Sequence, residues 1–242
     1  MITHSYHAAS AQIRCRPLPI VANDPSPSGA DSTPTVFIVD NDISARESLA
    51  DLIRISGWRA EAFGSARGFL ERPHLPVPSC VVLDLRLPDL SGLELQRRIV
   101  ADHSEMPIIF LTGYSDVPIA VQAMKAGAIE FFMKPFDDET LLTAIDRALE
   151  ASRSRLEHEM EQLALRRRHE SLSGREQEVM ALVVTGLLNK QVGFELGISE
   201  ITVKAHRGKV MRKMEANSLA DLITMATRLG LPSPFRNNRL SA

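Results

Sequence analysis

Between Thr35 and Leu149 the chain alternates five times between a short β-prone run and a segment of helical periodicity. The runs are Thr35–Val39, Arg59–Phe63, Cys80–Asp84, Pro107–Leu111 and Ile129–Met133. Behind them come Leu49, Leu52 and Ile53, stopped by Gly57, then a short helix capped by Ser65 and running through Leu70. Leu93, Leu95, Ile99 and Val100 follow in a helix from about Ser91, and Ile119, Ala120, Ala123 and Met124 in one opened by Ser115 or Asp116 and ended by Gly127. Leu141, Leu142, Ile145 and Leu149 close the series after Asp137 or Asp138. Alternation at this spacing predicts a parallel sheet with right-handed crossovers. Cys80–Leu83, apolar without a break, suits a strand covered on both faces. The expected fold class is α/β, a doubly wound five-stranded parallel sheet, followed by a small all-α domain.

Four of the five runs deliver a special polar group at the carboxyl end: Asp40 and Asp42 after the first, Asp84 after the third, Thr112 after the fourth, Lys134 after the fifth. In a doubly wound sheet these ends converge on one crevice. A lone Asp at a strand end reads equally as a turn residue; the coincidence of several such ends favours a reactive group. Carboxylates, a hydroxyl and a lysine at one edge suit a hard cation and a phosphoryl group. Asp84 is then a nucleophile that forms an acyl phosphate. Whether the Lys134–Pro135 bond is cis the sequence leaves open.

At these residues the chain resembles a response regulator receiver domain over about residues 35–150. The matching motifs are Val39-Asp40-Asn41-Asp42, Leu83-Asp84-Leu85-Arg86-Leu87-Pro88, Phe110-Leu111-Thr112-Gly113 and Phe131-Phe132-Met133-Lys134-Pro135-Phe136. The resemblance implies the flavodoxin-like form of the sheet, with Asp84 accepting phosphate from a sensor histidine kinase. By the same likeness Thr112 and Lys134 contact the phosphoryl group and Phe131 is the switch aromatic. Mg2+ is implied as cofactor, held by Asp40, Asn41, Asp84 and the main-chain carbonyl of Arg86. The family usually has an acid where this chain has Asn41. An amide brings no charge, so weaker metal binding is expected, with Asp42 beside it as a compensating group.

The ends of the chain read differently. Residues 1–34 hold five of the 14 prolines and show no hydrophobic period, as expected of a disordered tail; 233–242 read as a flexible tail. The chain has no long apolar run that would read as a membrane span or an export signal, and Cys15 in the tail and Cys80 in a buried strand are not expected to pair, so a cytoplasmic protein is expected. Charge is unevenly spread. Residues 1–151 carry 13 Lys and Arg against 20 Asp and Glu, and residues 152–242 carry 15 against 10. An acidic half joined to a basic half suggests two tasks, the second on nucleic acid.

Residues 151–170 read as a helical linker. Leu142, Leu149, Leu156 and Leu163 recur every seven residues, which fits pairing with a second chain or a solvated single helix. A capping box of Ser173 and Glu176 opens the next helix; Asn189-Lys190-Gln191 opens another, stopped at Gly197; Ser199 caps a third over about 200–214 and Ser218 a fourth. That is the helix-turn-helix order. The third helix holds five Lys and Arg; Val203, the stem of Arg207, Val210 and Met214 share one face, and Lys204, Ala205, Gly208, Lys209 and Arg212 fall on the other. Residues 171–232 resemble the LuxR-type helix-turn-helix of the NarL/FixJ family, its FixJ-like branch, through Leu172-Ser173-Gly174-Arg175-Glu176, Leu188-Asn189-Lys190, Leu196-Gly197-Ile198-Ser199 and Thr202-Val203-Lys204-Ala205-His206-Arg207. The resemblance implies that Lys204 and its outer neighbours Ala205, Gly208, Lys209 and Arg212 enter the major groove, while Lys190, Thr202 and Arg207 sit on phosphates.

The reading that joins these parts is a two-component transcription factor, not an enzyme. Its partners are a cognate kinase, a double-stranded DNA operator and a second copy on activation, with RNA polymerase left open. A phosphorylation-independent DNA-binding regulator is the alternative. An aspartyl-phosphate phosphatase is the remote one, because the second Asp such enzymes carry two residues on is Arg86 here.

Overall fold

The computed structural model describes residues 33–73, 76–102, 106–113 and 117–231. Most of both tails, the cap of the fourth helix at Ser115 or Asp116, and parts of two loops lie outside the described residues. Five strands, β1 (Thr35–Val39), β2 (Arg59–Phe63), β3 (Ser79–Asp84), β4 (Ile108–Thr112) and β5 (Glu130–Met133), form one parallel sheet in the order β2-β1-β3-β4-β5. Between them run α1 (Ile43–Ile55), α2 (Ala66–Leu70), α3 (Gly92–Ala101) and α4 (Val117–Lys125). After β5 come α5 (Asp138–Glu170), α6 (Gly174–Val183), α7 (Asn189–Leu196), α8 (Glu200–Met214) and α9 (Leu219–Arg228).

The two-residue period of the inner strands divides the sheet into two cores. Val36 and Ile38 of β1, with Cys80, Val82, Ile109 and Leu111, pack under α1 and α5. Phe37 and Val39, with Val81, Leu83, Ile108 and Phe110, pack under α2, α3 and α4. The three inner strands are therefore apolar on both faces through their middles, with polar residues only at their ends. The residues of the edge strand β2 are half-buried or exposed. Cys80 is buried in β3, and burial pushes its thiol up.

Helix entries follow the side chains expected to open them. Ser65, Ser91, Asp137, Ser173, Ser199 and Ser218 each accept a hydrogen bond from a main-chain N–H of the first turn. Asp42 does the same for α1, accepting from the N–H groups of Ser44 and Ala45. α5 does not stop at the sheet. Ser152 is buried and its Oγ accepts from the N–H of Ser79 at 3.0 Å. Further along, Leu165 is buried in a third core with Leu172, Val179, Met180, Val203, Val210, Met214 and Leu222. Of the heptad leucines, Leu149 belongs to the sheet's core while Leu163 is 49 % exposed. Among the described residues no helix is long and apolar enough to cross a membrane.

The third core contains one acid. Glu176 is buried, and its Oε2 accepts from the N–H of Ser173 at 2.9 Å and from Lys213 Nζ at 2.6 Å. Lys213 Nζ also donates to the Ser171 carbonyl. The Lys213 hydrogen bond, then that of Ser173, holds the Glu176 carboxyl down at about 2, against an ordinary 4.5. A carboxyl whose pKa falls on folding stabilises the native state above its unfolded pKa, and that contribution disappears as pH drops toward the native value. Thermal melts from neutral pH down toward 2 are therefore expected to show the helical domain losing stability below about 4.5, with a shallower loss in Glu176→Gln. Parallel acid slopes in the two proteins would contradict this.

Candidate functional site

Strand register assembles the crevice. β1 and β3 pair Val39 with Leu83, so the next residues, Asp40 and Asp84, leave the sheet side by side. β3 and β4 pair Asp84 with Leu111, and β4 and β5 pair Thr112 with Met133, which brings Thr112 and Lys134 to the same edge. The main-chain N–H of Lys134 donates to the Thr112 carbonyl at 2.7 Å, and the Lys134–Pro135 bond is cis. Thr112 is buried.

Asp40 is 2 % exposed, and both its oxygens are held. Oδ2 accepts from Lys134 Nζ at 2.6 Å and Oδ1 from the N–H of Asp42 at 2.8 Å. Its carbonyl accepts from Arg46 Nη1 of α1 at 2.6 Å, which fixes the turn out of β1. Asp84 is half-buried. Burial, and then the charge of Asp40, push its carboxyl above the usual range; Lys134 and the N–H groups of Leu85 and Arg86 oppose that. The site thus sets two carboxylates against one ammonium, leaving an excess negative charge beside a half-open cleft. That arrangement favours a hard cation at the cleft.

Of the residues expected as metal ligands, Asp40 and Asp84 meet at the strand ends. Asn41 is exposed, and Arg86 is exposed in a loop bridged to Ser91. Asp42, the expected compensating acid, is engaged as the cap of α1. Among the described residues no three acidic, histidine or cysteine side chains gather as a metal cluster. A cation here would have two carboxylates, an amide and a main-chain carbonyl to bind, a set of hard oxygens with little charge to spare.

The loop after β3 carries two features the sequence reading missed. Gly92 sits against the main chain: a Cβ there would lie 2.5 Å from the Asp84 carbonyl and 3.0 Å from Leu85 Cα. Only glycine lets α3 begin this close to the phosphoacceptor candidate. Asp89 reaches across to α2, accepting from the N–H of Arg67 at 2.8 Å and of Ala66 at 3.1 Å. These hydrogen bonds, Arg67's first, hold its carboxyl low and pin the loop. Its partners lie more than 20 residues earlier in the chain, beyond the range of any local motif. Phe131, half-buried in β5, stands with its ring centroid 6.2 Å from that of Phe110.

In the helical domain α7 ends at Gly197, whose φ of 66° makes the left-handed turn into α8. Val203, Val210 and Met214 of α8 are buried, as expected. Lys190, Thr202, Lys204, Ala205, Gly208, Lys209 and Arg212 are exposed. Thr202 Oγ1 is 2.8 Å from Ser199 Oγ, and Lys204 pairs with Glu200 at 3.0 Å. Two of the five cations face elsewhere. Lys213 turns inward to Glu176, and Arg207 Nη1 donates to Asn189 Oδ1 at 3.1 Å across the turn. Three exposed cations, Lys204, Lys209 and Arg212, remain on the outer face.

Comparison with known proteins agrees with both halves. A family model described as a response regulator receiver domain matches residues 36–146, and one described as bacterial regulatory proteins of the luxR family matches 170–226. Nodulation protein W of Bradyrhizobium diazoefficiens is 52 % identical over 196 residues, 81 % of this chain and 86 % of that protein. The transcriptional regulatory protein FixJ of the same species is 40 % identical over 198 residues, 81 % of this chain and 96 % of FixJ. Among solved structures, the response regulator StyR superposes with a TM-score of 0.75 at 45 % identity, covering 81 % of this chain and 99 % of StyR.

Proposed function

The chain belongs to the two-component response regulators that join a receiver domain to a LuxR-type DNA-binding domain, and from that premise we propose that phosphoryl transfer to Asp84 controls its binding to DNA. The family is one of transcription regulators and not of enzymes, so the phosphatase reading falls. The observation that carries the proposal is the geometry of the crevice: Asp84, half-buried, leaves the sheet beside Asp40, whose carboxylate holds the Lys134 ammonium at 2.6 Å, so a nucleophile, a cation-binding acid and a countercharge share one edge. An Asp84 oxygen attacks the phosphorus of a kinase phosphohistidine; the P–O bond forms as the P–N bond breaks, and the imidazole leaves. Lys134, drawn from Asp40, pairs with the incoming oxygens, and the Thr112 hydroxyl donates to another. Mg2+, held by Asp40, Asn41, Asp84 and the Arg86 carbonyl, would neutralise phosphoryl oxygens when bound.

The output follows from an uncovered face. Val117, Val121 and Met124, at i, i+4 and i+7 of α4, and Met133 of β5 are all exposed. Phosphorylation shifts Thr112 and Phe131 against this face, and two receivers pair through it. Two DNA-binding domains then engage two half-sites of a double-stranded operator in the cytoplasm, each raising the effective concentration of the other. The test is fluorescence anisotropy with the full chain and a DNA duplex selected by it, with and without a small-molecule phosphodonor and Mg2+. Affinity is expected to rise about tenfold or more.

A second reading has its own support in the exposed Asn41 and the commitment of Asp42 to α1. On that reading the crevice is a structural relic and DNA binding is constitutive. Identical affinity with and without phosphodonor is its signature and defeats the first.

A further inference from the structure

The outer face of α8 carries an apolar strip that folding does not use. Ile201, Ala205, Gly208 and Arg212 follow at i, i+4, i+7 and i+11, which aligns them along one side of the helix. All are exposed, and Ile201 is 80 % exposed. The opposite side holds the buried Val203, Val210 and Met214. Gly208 adds an independent observation. A Cβ at this position would meet nothing within 4 Å. Packing therefore does not require glycine there, although glycine weakens a helix interior relative to alanine. What its bare backbone permits is a close approach from outside.

Charge identifies what approaches. Lys204 flanks the strip on one side and Lys209 on the other, with Arg212 at its end. Glu200, beside Lys204, is neutralised by it. An apolar protein laid along this strip would have to desolvate three cations. The phosphate lines on either wall of a major groove would pair with them instead. At the groove floor, Ile201, Ala205 and Gly208 present no polar side-chain atom, so they can read no base by hydrogen bond. The feature of a base edge that an apolar side chain reads is the 5-methyl group of thymine.

We propose that Ile201 and Ala205 recognise thymine methyl groups in each operator half-site, with Gly208 letting the helix sit close against the groove floor. This deepens the DNA-binding reading above and rests on it. Ile201 lies outside the residues that the sequence pattern singled out for DNA contact.

The experiment separates the two. Duplexes are enriched from a randomised pool by the full-length chain, with and without phosphodonor. The enriched duplex is then resynthesised with deoxyuridine replacing each thymine in turn, which deletes one methyl and keeps the pairing edge. One or two positions per half-site are expected to lose affinity about fourfold, the worth of one buried methyl-sized group. Ile201→Ala, at an exposed position that the fold does not need, is expected to bind the same at thymine and deoxyuridine at one of those positions. A flat deoxyuridine scan on a duplex that still binds overturns the proposal and leaves DNA binding standing. A scan with sensitive positions that neither Ile201→Ala nor Ala205→Gly alters overturns the assignment to these residues. Failure to enrich any duplex overturns the DNA-binding reading together with the proposal.

Discussion

Replacing Asp84 with asparagine is expected to reduce phosphoryl labelling to background and, in the same protein, to raise the melting temperature of the receiver. The first effect follows because an amide of nearly the same shape has no nucleophilic oxygen to offer. The second follows from the environment. Burial and the neighbouring Asp40 raise the Asp84 carboxyl, so its ionised form is held at the expense of the folded state. The sign is opposite to that of Glu176. A carboxyl raised on folding favours the native state below its unfolded pKa and loses that contribution as pH rises through the native one. The stability advantage of Asp84→Asn should therefore grow from about pH 4 upward and level off once the parent's carboxyl is fully ionised. Calorimetry across that range, paired with labelling by a radiolabelled phosphodonor, measures both. Labelling that survives the substitution puts the nucleophile elsewhere. A lower melting temperature would mean that attraction to Lys134 outweighs burial and Asp40 together. Mg2+ offers a further arm: it should raise the melting temperature of the parent more than that of the variant, because binding to the native state alone adds stability by mass action.

The crevice was legible because it depends on short-range information. Strands that alternate with helices run parallel, and parallel strands deliver Asp40, Asp84, Thr112 and Lys134 to one edge whatever the loops do. Strand bounds moved by a single residue: Pro107 stands just before β4 and Thr112 ends it, and Ser79 joins β3. What could not be read locally was the second partner of a bifunctional side chain. Asp42 looked like a pocket acid, but the first turn of α1 claims its carboxylate. Lys213 looked like one more cation of a basic helix, but Glu176, 37 residues earlier, turns it inward. Asp89 passed without notice, because its partners are the distant N–H groups that open α2. Ile201 was missed for the converse reason: an apolar residue is expected inside, and only its exposure marks it as unusual.

Leu165→Ala is expected to destabilise the helical domain by about 2–5 kcal/mol, the range for truncating a fully buried leucine. The heptad leucines fit pairing with a second chain or a solvated single helix, and Leu163 on that repeat is exposed; Leu165, off the repeat, is 3 % exposed within the core that also holds Val179, Met180, Val210 and Leu222. Two ion pairs also join the end of α5 to the later helices, Arg228 with Glu161 at 3.0 Å and Arg168 with Glu215. Their acids are 64 % exposed, and exposed pairs contribute about 0–1 kcal/mol each. Burial therefore dominates at this junction. Chemical denaturation of the full chain should show a large drop in the helical domain's midpoint for Leu165→Ala, a small one for Arg228→Ala, and almost none for Leu163→Ala. The consequence reaches the switch, because the same helix is anchored at its other end by Leu149 and by Ser152 against β3. One continuous helix is then a structural member of both cores, with only residues 153–164 between its two anchorages. If Leu163→Ala proved the more damaging, the face carrying the heptad repeat would have to be covered in solution, and a second copy of α5 would be the element to cover it.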